Sequence, residues 1–285
     1  MKKKSMSNIE EVLSIYDCAS VNEKAAQAFL EGERFKRRYE ENLRNEEKIG
    51  ECVRSLDMTT LHASDGESDV ERLSRRVNAG YGKYGNVAAV CVYPSLVRKV
   101  RECLKVPEVK IAAVSGGFPH AQTFMEVKIA EAGLCIADGA DEIDMVLSVG
   151  KFLEGNLEEC ADEITEMKGC VGDKVLKVIL ETCLLGRLEL ISEASLLAMV
   201  CGADFIKTST GKEKTGATPE GAWAMCKSIR QFFEREGVKV GFKAAGGIRK
   251  IEDAMRYLTI AEMILGKEWI EEGKFRIGTS GLEGF

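Results

Sequence analysis

Four charged residues sit inside short apolar runs, where a charge is hardest to place: Asp144, Lys177, Lys207 and Lys243. An isolated ammonium is costly to bury, so such groups persist when they are paired or used. Alternate side chains of a strand share a face. This puts Lys207 with Ala203 and Phe205, Lys243 with Gly241, Asp144 with Glu142 and Val146, and Lys177 with Ile179 and Glu181. If these faces point inward, the charges converge. A lysine attacks a carbonyl at neutral pH only when desolvation or a neighbouring cation lowers its pKa from ~10.4. Lys207 and Lys243 each end a proposed strand, and the two strands are consecutive, so each disfavours the other's charge. Residue types alone leave open which of the two is neutral. A neutral amine forms an imine, and the protonated imine is an electron sink that lets the adjacent carbon–carbon bond break or form. This is class I aldolase chemistry, with Asp144 suited to move protons through water.

Candidates for holding an anion follow the last two proposed strands. Gly246-Gly247 precedes a helix-like stretch, and Gly278-Thr279-Ser280-Gly281 closes the chain's final run. Glycines let backbone N–H groups approach an anion, a helix N-terminus adds favourable partial charge, and barrels often bind phosphate at these two loops. Thr210-Gly211-Lys212-Glu213 looks like the end of a P-loop, but Glu213 stands where Ser or Thr is required and no glycine occupies 206. The nucleoside-triphosphate reading fails.

Positioning these residues requires a parallel sheet. From about residue 51, short β-branched runs alternate with helix-like stretches, at 53–59, 88–93, 109–114, 142–147, 175–181, 204–209, 240–244 and 275–278. Eight runs at about 30 residues per unit predict an α/β fold of the (β/α)8 TIM-barrel class. An open doubly wound sheet is disfavoured because no GxGxxG opens a helix. Residues 1–50 differ: dense charge, with Phe35, Tyr39 and Leu43 at steps of four on one helical face. They are expected to form an N-terminal helical extension lying across one end of a 51–285 barrel, in preference to a partner-binding helix.

Composition narrows the functions. Forty Lys and Arg against 46 Asp and Glu give a net charge of −6, so the overall field that attracts nucleic acid is missing and an anionic ligand must be held locally. No apolar run approaches the ~20 residues that span a bilayer, and the basic Met1-Lys2-Lys3-Lys4 is not followed by a signal-like apolar stretch. Neither a membrane nor a nucleic-acid partner is expected. Ten cysteines without a CxxC pair fit reduced thiols and a cytoplasmic location. With only His62 and His120, a three-histidine zinc site is impossible, and no metal or cofactor is expected.

The sequence closely resembles the deoxyribose-phosphate aldolase family. The resemblance runs in family order from about 54 to 281, through Leu56-Asp57-Met58-Thr59-Thr60-Leu61, Ala89-Val90-Cys91-Val92-Tyr93-Pro94, Ala140-Asp141-Glu142-Ile143-Asp144-Met145-Val146 and Leu176-Lys177-Val178-Ile179-Leu180-Glu181-Thr182. Its two most specific segments are Asp204-Phe205-Ile206-Lys207-Thr208-Ser209-Thr210-Gly211-Lys212 and Gly241-Phe242-Lys243-Ala244-Ala245-Gly246-Gly247-Ile248-Arg249. The resemblance implies reversible, metal-free cleavage of 2-deoxy-D-ribose 5-phosphate to acetaldehyde and D-glyceraldehyde 3-phosphate. It also implies that Lys207 forms the Schiff base, that Lys243 lowers the Lys207 pKa, and that Asp144 is the acid/base partner. Asp57, Lys177 and Thr208 are implied as supporting or substrate-hydroxyl contacts, and Cys91 as a neighbour of the small aldehyde. Gly211, Lys212, Gly246, Gly247, Gly278 and Ser280 are implied to hold phosphate.

Three departures carry expectations. Ala244 replaces a family proline before Gly246, leaving Lys243 in place. Gly281 replaces a second Ser or Thr, removing one side-chain phosphate contact. The sequence ends at Glu283-Gly284-Phe285, where many members continue to a tyrosine that reaches the site, so slower proton exchange at the enamine is expected. The expected partner is a phosphorylated sugar, with homo-oligomer formation open. A non-catalytic sugar-phosphate-binding barrel and an imine-forming phosphosugar aldolase with a different donor are the alternatives.

Overall fold

The computed structural model describes residues 8–284; the basic 1–4 stretch and Phe285 lie outside the described residues. Eight parallel strands close into a barrel in sequence order: β1 (Leu56–Thr59), β2 (Ala89–Val92), β3 (Lys110–Ser115), β4 (Glu142–Val146), β5 (Val175–Ile179), β6 (Phe205–Lys207), β7 (Gly241–Ala245) and β8 (Phe275–Thr279). All eight expected runs contain a strand. The differences lie at the ends. Val53 and Arg54 finish a helix, β6 stops at Lys207, two residues short of the expected run, and β7 reaches Ala245, one residue beyond it.

Both faces of the sheet are covered, which is why the strands read as nearly continuous apolar runs. Outward residues such as Met58, Val90, Ile143, Val178, Ile206 and Phe242 are fully buried beneath the helical ring. Inward positions carry small residues in some strands, such as Ala89 and Gly241, and charges in the others. The two patterns fit together at β6 and β7, where a Cβ at Gly241 would stand 2.2 Å from the Phe205 ring.

Among the described residues four helices precede the barrel: α1 (Ile9–Leu13), α2 (Glu23–Leu30), α3 (Glu33–Leu43) and α4 (Glu46–Arg54). They lie along the outer helices, α1 on 157–171 and 188–200, α2 on 219–236, and α3 on 251–265. The apolar face expected on α3 is present, with Phe35 buried and Tyr39 and Leu43 half-buried. Asn42 adds an anchor, its Nδ2 donating to Thr259 Oγ1 at 3.1 Å and to Glu262 Oε2 at 3.0 Å. Helix α4 spans residue 50 and packs against both helix 251–265 and the Gly82–Tyr84 turn. Among the described residues no helix follows β8, and α4 fills that place in the ring. No helix among them is long and apolar enough to cross a membrane.

Candidate active site

Seven ionisable side chains from six strands meet inside the barrel. Asp57 comes from β1, Glu142 and Asp144 from β4, Lys177 from β5, Lys207 from β6, Lys243 from β7 and Arg276 from β8. Strand register brings them together: Asp144 pairs with Lys177, and Lys207 with Lys243, on neighbouring strands. Lys177 meets three carboxylates, Glu142 at 2.5 Å, Asp144 at 2.7 Å and Asp57 at 3.6 Å. Lys243 meets two, Asp57 and, at 2.8 Å, Asp144. Lys207 meets Asp144 alone among the carboxylates, at 2.9 Å, through the same Oδ2 that Lys243 uses. Arg276 holds Asp57 at 2.8 Å and Glu142 at 3.1 Å.

Four basic groups thus face three acids in a water-poor interior. One neutral amine balances the set, and Lys207, with the fewest carboxylate partners of the four, is the group least held in its charged form. Burial pushes its pKa below the usual lysine value, with Lys243 adding to the effect against the pull of Asp144. Burial also works against the charged form of Lys243, but Asp144 and Asp57 outweigh it and raise its pKa. Burial disfavours ionised Asp144 and Asp57, yet the surrounding cations hold both below the usual carboxylate range. The geometry therefore ranks the two lysines that residue types alone left equal.

Lys207 is the only lysine of this network that lines a cavity of about 150 Å³ at the C-terminal ends of the strands. Active sites of barrels form at this face. Gly211, Lys212, Gly246, Gly247, Gly278 and Ser280 line it too, so all six residues expected at the phosphate end come together. Gly246 and Gly247 have φ of 92° and 80°, a region that side chains disfavour. Gly278 allows close packing, since a Cβ there would stand 2.9 Å from that of Ala245.

A family model described as DeoC/LacD family aldolase matches residues 52–271. The chain belongs to that family. It is 39% identical over 244 residues to the human deoxyribose-phosphate aldolase and 41% identical over 244 residues to that of Mus musculus, each alignment covering 81% of this chain and 77% of the relative. A tetrameric deoxyribose phosphate aldolase from Aeropyrum pernix superposes with a TM-score of 0.67 at 26% identity, over 86% of this chain and 93% of that one.

In this DeoC/LacD aldolase, the three residues expected as supporting or substrate-hydroxyl contacts, and Cys91, expected beside the small aldehyde, do not line this cavity. Asp57 and Lys177 are fully buried in the ion network, where their charged ends are taken by partners. The Thr208 hydroxyl donates to the Ala245 carbonyl and accepts from the Ala245 N–H, so it ties the end of β6 to β7. Cys91 is packed in the barrel with Leu61, Ala112 and Val114, and burial raises its thiol pKa.

Other residues escaped sequence reasoning. Arg276 closes the ion network, although β8 gave no hint of charge pairing beyond the arginine itself. Arg249, His62 and Thr210 line the cavity. The signal for Arg249 was its place two residues after the glycine pair. The helix N-terminus expected to face the anion is partly engaged elsewhere, because the Ile251 N–H donates to the Glu283 carbonyl at 2.9 Å.

Proposed function

We propose that this chain acts as a class I aldolase on 2-deoxy-D-ribose 5-phosphate, with Lys207 as the imine-forming residue. The observation that carries this reading is that Lys207 combines a depressed pKa, a single carboxylate partner and a place on the cavity wall. The neutral Lys207 amine adds to the C1 aldehyde, and Asp144, 2.9 Å away, relays a proton as water leaves. The resulting iminium accepts the electron pair of the C2–C3 bond as the C3 hydroxyl loses its proton. D-Glyceraldehyde 3-phosphate departs, the enamine is protonated at C2, and water returns acetaldehyde and the free amine. Asp57, Lys177 and Arg276 keep Asp144 and Lys243 ionised and in place. Lys212, Arg249 and the glycine loops supply charge and backbone N–H groups to the phosphate.

Borohydride reduction in the presence of deoxyribose phosphate should fix a stable adduct on Lys207, located by mass spectrometry, and Lys207→Leu should abolish it. Trapping at another lysine would overturn the assignment. Comparing acetaldehyde with dihydroxyacetone phosphate as donor separates this activity from that of an aldolase with another donor. The ten free cysteines support a reducing compartment such as cytoplasm. A homo-oligomer is part of the same reading, supported by the tetrameric Aeropyrum pernix relative.

A further inference from the structure

Glu181 is a buried carboxylate that the mechanism above does not use. It follows β5, and its backbone lies in the left-handed region at φ 52°, which a side chain disfavours. The turn has a structural consequence. The Leu180 N–H donates to the Lys207 carbonyl and the Thr182 N–H to the Thr208 carbonyl, both at 2.9 Å, so two residues on the β5 side span one on the β6 side. The extra residue is Glu181, and its carboxyl reaches the loop that follows Lys207. The Thr210 N–H donates to Glu181 Oε2 at 3.2 Å, and the Thr210 hydroxyl donates to the same oxygen. That hydroxyl oxygen in turn accepts from the Lys212 N–H at 3.1 Å. Thr210, Gly211 and Lys212 all line the cavity that Lys207 lines, whereas Glu181 does not.

Strained backbone persists where the surrounding structure over-determines it, often beside a functional site. Burial raises the Glu181 pKa while the two Thr210 donors pull it back down, and hydrogen bonds to an ionised acceptor are the stronger kind. We propose that Glu181 is a positioning residue that, through Thr210, holds the Thr210–Gly211–Lys212 loop in the shape that receives the substrate's phosphate. The inference rests on the phosphate end assigned under the proposed function, and it adds the group that shapes that end.

Glu181→Leu removes both bonds to Thr210. It should raise KM for 2-deoxyribose 5-phosphate about tenfold, weaken inorganic phosphate binding to a similar extent by calorimetry, and leave KM for unphosphorylated 2-deoxyribose within about twofold. Glu181→Gln, which retains one acceptor oxygen, should fall between. Thr210→Val reads the same link from the other end and serves if Glu181→Leu does not fold, while Thr210→Ser should retain phosphate binding. In a Thr210→Val background the effect of Glu181→Leu should shrink to what the remaining bond from the residue 210 backbone N–H contributes, as expected for two members of one chain of contacts. Equal KM increases for both sugars, unchanged phosphate binding, or additive effects in the double variant would each overturn the proposal. Phosphate calorimetry needs no imine, so its outcome is separate from that of borohydride trapping on Lys207.

Discussion

Asp144 Oδ2 is shared by the Nζ atoms of Lys207 and Lys243, and that sharing makes the removal of one of them informative. Replacing Lys243 with leucine leaves Asp144 to face Lys207 with one fewer competitor and removes a neighbouring positive charge. Both changes stabilise the charged form of Lys207, so its pKa rises. Because the neutral form is the nucleophile and its fraction falls about tenfold for each unit that the pKa climbs above the ambient pH, Lys243→Leu should lower kcat about tenfold or more at pH 7. Activity should partly return at alkaline pH. The check is the pH–rate profile, whose rising limb should move to higher pH; a limb that stays in place with a lower plateau would mean that Lys243 acts other than through the Lys207 charge. The two lysines are distinguished by their number of carboxylate partners, and no residue adjacent to either in sequence carries that information.

At the scale of elements, α4 decides where the barrel begins. A boundary at residue 50 cuts this helix in half, whereas the helix fills the ring position that nothing among the described residues takes after β8. Its Lys48 holds Glu262 at 2.6 Å and Glu51 at 2.8 Å, anchoring it to helix 251–265 at a site shielded from solvent. We therefore place the start of the barrel unit near residue 45. A chain beginning at residue 45 should remain folded and melt cooperatively, although at a lower temperature because the surface under Phe35 becomes exposed. A chain beginning at residue 55 should lose cooperative melting, read by circular dichroism. Equal behaviour of the two chains would remove the structural distinction between α4 and the three helices before it. The composition break in the sequence marked the extension, but charge density does not reveal which of its helices completes a ring.

For the molecule as a whole, the ion network links activity to acid stability. Asp57 and Asp144 are held below the usual carboxylate range in the folded chain, while unfolding returns them to about 3.9. The unfolded chain then binds more protons below that value, so their contribution is complete above about pH 4 and is lost as pH falls toward the folded values. Lys207 has the same sign in a more alkaline window: its pKa is lower folded than unfolded, so the cost of burying its charged form is relieved as pH rises between the two. The melting temperature should hold from pH 7 to about 4 and fall below it. Asp57→Asn should reduce that acid slope and cost about 3–5 kcal/mol at pH 7, because Lys243 and Arg276 lose a buried partner; urea unfolding measures both effects. The sequence by itself determined the eightfold βα pattern, the inward lysines and Asp144, and the glycine loops. Those features are local: period-two alternation fixes a face, and glycine marks a backbone that side chains would obstruct. The tertiary structure alone decided which lysine is left without its full share of carboxylates, that Arg276 closes the network, that Thr208 serves the backbone, and that Glu181 turns to meet Thr210. Each of these depends on register between strands far apart in the chain and on competition among charges in a low-dielectric interior, and neither is written in any one segment.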